Sequence, residues 1–206
     1  MGVSAVSEAG AVSGEGFARS WSARVLEKPP LIAPARQFVY PVYVPGEEDA
    51  MARGAMLVEV KPAEGGVFLG TCALGFREAS LPSGVWACPR ADDLLAVAGG
   101  YAYLVDTLRP ERCVHVGLKP VTQVVAAVEE ELLLLAGFHK VVASGAEGVR
   151  WESGRLSWEG VTLGEVKAGK LHGLGWDIRS DREVAFEVDL RTGAHAGGGF
   201  GASSGR

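Results

Sequence analysis

Three apolar runs, each ending in glycine, recur at a fixed spacing and restrict what this chain can fold into. They are LLAVAG at 94–99, LLLLAG at 132–137 and KLHGLG at 170–175, and Gly99, Gly137 and Gly175 follow one another at intervals of 38 residues. A repeated four-stranded β-unit occupies roughly 40 residues, so the interval predicts three such units. Short β-prone segments separated by turn residues surround the runs, as in an all-β domain. The first unit reads VWACPR, LLAVAG, YAYLVD, RCVHVG; the second reads QVVAAV, LLLLAGF, KVVAS, VRWESG; the third reads VTLGEVK, KLHGLGWD, VAFEVDLRTG. Upstream, MLVEV at 56–60 and VFLGTCAL at 67–74 flank KPAEGG and predict a hairpin.

The chain divides by composition into three stretches. Residues 1–54 read as a flexible N-terminus followed by a proline-rich arm, 55–196 as the repeat domain, and 197–206 as a flexible Gly/Ser tail. Pro29, Pro30, Pro34, Pro41 and Pro45 fix φ and remove amide donors, which predicts an extended arm or an edge strand. Alternating Phe38, Tyr40, Val42 and Val44 suit the covering of a sheet edge, and a short helical turn fits 47–53.

The order of strand, charged turn and LLAVAG-like strand, with later strands ending VDTLRPE (105–111), WESGRL (151–156) or VDLRTG (188–193), resembles the blades of bacterial β-propellers over about residues 84–195. The resemblance implies antiparallel blade-like sheets in a partial, propeller-like array of three units, or four if the 56–74 hairpin completes another. The Gly-His and terminal Trp-Asp signature of WD repeats is absent, and the pair Trp176-Asp177 follows a different strand. An open array leaves sheet edges for the arm, a second copy or a partner to cover.

A hydrophobic content of 48% suffices for a real core, and the net charge of -5 disfavours a nucleic-acid or anionic-membrane partner, either of which needs a clustered positive face. No apolar run reaches the roughly 18 residues of a spanning helix. Residues 1–16 contain no Lys or Arg and two Glu, unlike a secretory start, so a cytoplasmic location is the default. Cys72, Cys88 and Cys113 are odd in number and lack CxxC spacing, which favours reduced core thiols over disulfides or zinc.

No nucleophile elbow, P-loop, HExxH or dinucleotide-binding fingerprint occurs, and no cofactor or metal is implied. Cys113 and His115 share one strand face at a spacing that a metal or a thiolate–imidazole pair uses, but no further ligands lie nearby in sequence. Asp106, Glu152 and Asp189 each end a strand before a turn. Such carboxylates accept turn amides, and a ring of them around a channel binds a cation or a sugar. Asp92, Asp93 and Glu129 to Glu131 make one rim acidic, for solvation or for docking a basic partner. Trp86, Tyr101, Tyr103 and Trp151 suit packing between sheets, whereas Trp158 and Trp176 border polar segments and are candidate binding residues.

These features favour a non-enzymatic scaffold that presents loops and sheet edges to a protein partner or to itself, including a homodimer closing two half-rings. The alternatives are an immunity or antitoxin-like inhibitor of a basic toxin, and a carbohydrate-active hydrolase or sugar-binding protein using Asp106, Glu152 and Asp189.

Overall fold

The computed structural model describes residues 16–200, so the flexible ends expected at 1–15 and 201–206 lie outside the described residues. The architecture is all-β: among the described residues sixteen strands form four sheets of four strands each. The first sheet contains β1 (Ser22–Leu26), β2 (Arg36–Tyr40), β3 (Ala55–Lys61) and β4 (Phe68–Ala73) in the order β1-β3-β4-β2. Here β2 runs parallel to β4, and the other pairs are antiparallel.

The remaining sheets are antiparallel meanders. The second holds β5 (Gly84–Ala87), β6 (Asp93–Ala98), β7 (Tyr101–Asp106) and β8 (Cys113–His115). The third holds β9 (Gln123–Ala127), β10 (Leu132–Ala136), β11 (Val141–Gly145) and β12 (Gly148–Glu152). The fourth holds β13 (Val161–Lys167), β14 (Lys170–Asp177), β15 (Arg182–Asp189) and β16 (His195–Gly197). No helix among the described residues is long and apolar enough to cross a membrane.

Side chains on a strand alternate between faces, and this explains why the repeated runs differ in composition. In β6, Leu94, Ala96 and Ala98 pack against the first sheet with Met56, Val58 and Phe68, while Leu95 and Val97 pack against the third sheet with Leu133 and Leu135. In β10, Leu132, Leu134 and Ala136 turn instead to Leu171, Phe186 and Val188 of the fourth sheet. Both faces of β6 and β10 are therefore buried, and continuous apolar sequence follows. By contrast β14 buries Leu171 and Gly175 on one side and leaves His172 and Leu174 on the other, because the fourth sheet is covered on one face only. The same alternation in β3, where Met56, Val58 and Val60 are buried, marks the first sheet as the other end of the series.

The recurrent glycines have a steric cause. Gly99 and Gly137 directly follow the second strands of their sheets and Gly175 lies near the end of β14, in each case where the linker entering from the preceding sheet crosses over. A Cβ at Gly99 would lie 2.4 Å from the carbonyl oxygen of Phe76, and one at Gly175 would lie 2.3 Å from that of Leu156. At Gly137 it would meet Leu118 Cδ1 at 2.7 Å and the Pro120 carbonyl oxygen at 3.2 Å. At Gly99 and Gly175 the contacts are with backbone and under 3 Å, so a Cβ would force the linker to move. At Gly137 the contact under 3 Å is with the end of the Leu118 side chain, which can shift, and the backbone approach is merely tight.

Two strands come from the stretch expected to be an arm. Between Pro34 and Pro41 the segment RQFVY is free of proline and forms β2, an edge strand that places Phe38 edge-on against Phe68 at 5.5 Å and buries Tyr40. Pairing of β1 with β3 completes the first sheet, so this sheet begins well before residue 55. A 3-10 turn forms at Ala50–Arg53 within the short turn expected at 47–53. At the other end β16 starts at His195, and Gly198 donates to the Ala185 carbonyl and Phe200 to that of Leu156, so the start of the presumed tail is bound to the fourth sheet.

Two-sided burial has a direct test. Leu133→Ala and Leu134→Ala, neighbours that face opposite sheets, should each lower unfolding stability by about 2–5 kcal/mol in urea titrations. Leu174→Ala, on the uncovered face of β14, should stay within about 0.5 kcal/mol. A low cost for either Leu133 or Leu134 would mean that one face of β10 is not packed.

The crossing linkers predict a contrast between glycines. Gly175→Ala should cost about 1–3 kcal/mol from the clash with Leu156, whereas Gly117→Ala, where an added Cβ has nothing within 4 Å, should leave the midpoint unchanged or slightly raised.

Candidate functional site

The three carboxylates singled out in the sequence lie in three different sheets, and each is occupied locally. At the end of β7, Asp106 accepts the amides of Leu108 and Arg109, both at 3.1 Å, and pairs with Arg90 at 3.0 Å and Arg109 at 3.1 Å. Burial pushes its carboxyl upward, but the two guanidiniums and the turn amides outweigh this and hold it below the usual range. Glu152 pairs with Lys140. Asp189 accepts the amides of Arg191 and Thr192 and the Thr192 hydroxyl, all within its own turn.

Two carboxylates of the acidic rim are likewise engaged by nearby groups. Asp92 accepts the Ser20 hydroxyl at 2.5 Å, and Asp93 lies 3.3 Å from Arg90. Burial raises the Asp93 carboxyl to about 6, Arg90 opposing and Asp106 and Asp92 assisting.

The two tryptophans are brought together. Trp158 donates its amide to the Trp176 carbonyl at 3.0 Å, and the Trp176 amide donates to Ser157 Oγ at 2.8 Å. The Trp158 ring meets Phe200 edge-on at 4.7 Å, and the Arg155 guanidinium covers both, 4.9 Å from Trp158 and 4.5 Å from Phe200. Trp176 lies half-buried on β14, on the side of His172 and Leu174.

Sequence reasoning missed the residue that ties the first sheet to the second along the rim where the linkers cross. Glu47 Oε1 accepts Tyr101 Oη at 2.7 Å and Lys119 Nζ at 2.8 Å, and Oε2 accepts Arg53 at 2.8 Å. Burial alone would raise this carboxyl, but the hydrogen bonds from Lys119, Tyr101 and Arg53 hold it down to about 2. Glu47 and Lys119 are 72 positions apart, so no local pattern marks the pair.

His115 sits behind this cluster, stacked on Tyr103 with centroids 5.0 Å apart and tilted against Tyr101 at 4.9 Å. Its Nε2 is buried without a hydrogen-bond partner among the described residues. Burial, aided by Lys119, lowers its pKa to about 4. The neighbouring Cys113 thiol is pushed up to about 12 by burial, so it does not supply a thiolate at neutral pH. Burial likewise raises Cys72 and Cys88.

Next to Lys119, the linker residues Gly117 and Leu118, the β10–β11 hairpin residues Phe138, His139 and Lys140, and Arg155 surround a cavity of about 310 Å³. A second, shallower groove of about 550 Å³ runs over the fourth sheet, past Gly164, His172, Leu174, Ala185 and Ala196. No known protein family matches this chain, and no characterised protein aligns with it significantly.

The pKa of His115 implies acid sensitivity. Its folded value lies below its ordinary 6.5, so the unfolded chain binds more protons, and this stabilisation is complete above 6.5 and lost as pH falls toward about 4. Glu47 acts in a lower window, its stabilisation present above the ordinary 4.5 and lost toward about 2. In urea titrations across these pH values, His115→Phe should flatten the stability loss between pH 6.5 and 4, and Glu47→Gln should flatten only the lower part. Parallel curves for native protein and H115F would contradict a neutral, buried His115.

Proposed function

We propose that this chain is a non-enzymatic binding module: an open, propeller-like array of four blade-like sheets that presents an end face and its neighbouring loops to a protein partner or a second copy. The observation that carries this reading is the outward face of the fourth sheet, where β14 and β15 hold a groove with apolar walls that no other sheet covers. Leu174 is exposed there and Trp176 is half-buried beside it, the mixture of apolar anchor and polar surround found at interfaces.

The first sheet ends the array in a comparable way, with Val39 exposed and the Arg24–Glu59 pair on its surface. Two copies, each of four sheets, would form a ring of eight by laying the fourth sheet of one on the first sheet of the other, within the range of closed propellers. A binding rather than catalytic role is supported by the local engagement of Asp106, Glu152 and Asp189 and by thiols held in their protonated form. A reducing, cytoplasmic setting is supported by three unpaired cysteines.

Leu174→Arg should abolish dimerisation in light scattering while leaving the fold intact, because the side chain points away from the core. A native chain that stays monomeric at every concentration would end the ring. Capture of the same proteins from host extract by native chain and L174R would end the assignment of this face.

A further inference from the structure

The cavity on the linker rim between the second and third sheets carries a chemistry unrelated to the end faces. Three cationic side chains reach it from three separate segments: Lys119 from the β8–β9 linker, Lys140 from the β10–β11 hairpin and Arg155 from the β12–β13 linker. Among the described residues, none of those lining it is a carboxylate.

Arg155 is the best-organised of the three. Its Nε donates to the Ser157 carbonyl at 3.0 Å and one Nη to that of Trp158 at 3.3 Å, while Trp158 and Phe200 hold the guanidinium plane. Among the described residues it has no carboxylate partner, and its other Nη makes no hydrogen bond. A guanidinium fixed in this way loses little conformational freedom when it takes a ligand. Lys119 and Lys140 each give one contact to a carboxylate, Glu47 and Glu152, and an ammonium has three donors, so each retains capacity.

We propose that this cavity binds the oxyanion of a small organic molecule, a phosphate or a carboxylate, with Arg155, Lys140 and Lys119 as its contacts and Phe138 against its apolar part. The volume lies at the lower end of the roughly 300–1,000 Å³ usual for small-ligand sites. Phe138 is exposed at the mouth and supplies an apolar wall, which inorganic phosphate alone would not use. A polyanion is disfavoured, because Glu47 and Glu152 flank the cavity and the chain is acidic overall.

The test is an NMR amide titration of the full-length chain in low salt with phenyl phosphate, inorganic phosphate and benzoate. Saturable shifts at Gly117, His139 and Lys140 are expected, with phenyl phosphate tighter than inorganic phosphate because of Phe138. Tighter binding of phenyl phosphate than of benzoate assigns a phosphate ligand, and the reverse order assigns a carboxylate.

Lys140→Ala and Arg155→Lys should each weaken binding about tenfold, as expected for a charge-assisted contact. Should R155K disturb the packing of Trp158, K140A carries the decision, since Lys140 and Glu152 form an exposed pair. Lys170→Ala, in an exposed pair on the fourth sheet, should change nothing. The proposal is overturned if no probe saturates, if K140A binds as well as native protein, or if K170A weakens binding equally and general charge attraction is the cause.

Discussion

Burial of both faces of β6 and β10 is the constraint on which the rest of the fold depends. A strand covered on two sides needs a sheet on each side, so the second sheet cannot form its core without the first and third, nor the third without the second and fourth. Each buried leucine contributes roughly 1.5–3 kcal/mol, and β10 alone places four in succession between two sheets. The series therefore behaves as one cooperative body in which each sheet is held by its neighbours. It stops where a strand returns to one-sided burial, as β3 does at one end and β14 at the other.

Polar groups then fix how neighbouring sheets sit on each other. Buried aromatic residues carry their polar tips across sheet boundaries: Trp21 Nε1 donates to the Asp93 carbonyl, Tyr103 Oη to that of Ala73, Tyr40 Oη to that of Pro110 and Trp151 Nε1 to that of Leu190. Each is an apolar payload with a satisfied donor, which specifies register where hydrophobic contact alone does not. Glu47 does the same at the rim with three charge-assisted hydrogen bonds. His115 is the exception, a ring used for stacking whose Nε2 finds no partner among the described residues, and whose burial lowers its pKa.

Much of this architecture was legible in the chain. The interval between Gly99, Gly137 and Gly175 located the second strand of three sheets, and the hairpin at 56–74 forms β3 and β4. The arm was harder to read because its prolines dominate the local pattern, although the five-residue segment Arg36–Tyr40 between Pro34 and Pro41 is enough for the edge strand that was one of its two expected forms. Among the candidate site residues, Asp106 and Asp189 sit on their own turns as short-range chemistry allows. Trp158 borders a polar segment in sequence yet packs under Arg155 and against Phe200, a residue 42 positions away.

The sequence by itself determined what depends on neighbours along the chain: the strand segments, their repeat spacing and the turn positions. Those signals are local because alternation and turn geometry act over a few residues. Only the tertiary structure decided which charges meet. Lys119, Lys140 and Arg155 converge because three loops leave the same rim of adjacent sheets, and Glu47 finds Lys119 because the first sheet packs on the second. Side-chain partners on separate loops are set by how sheets stack, and stacking follows from the summed burial of whole strands rather than from any one residue.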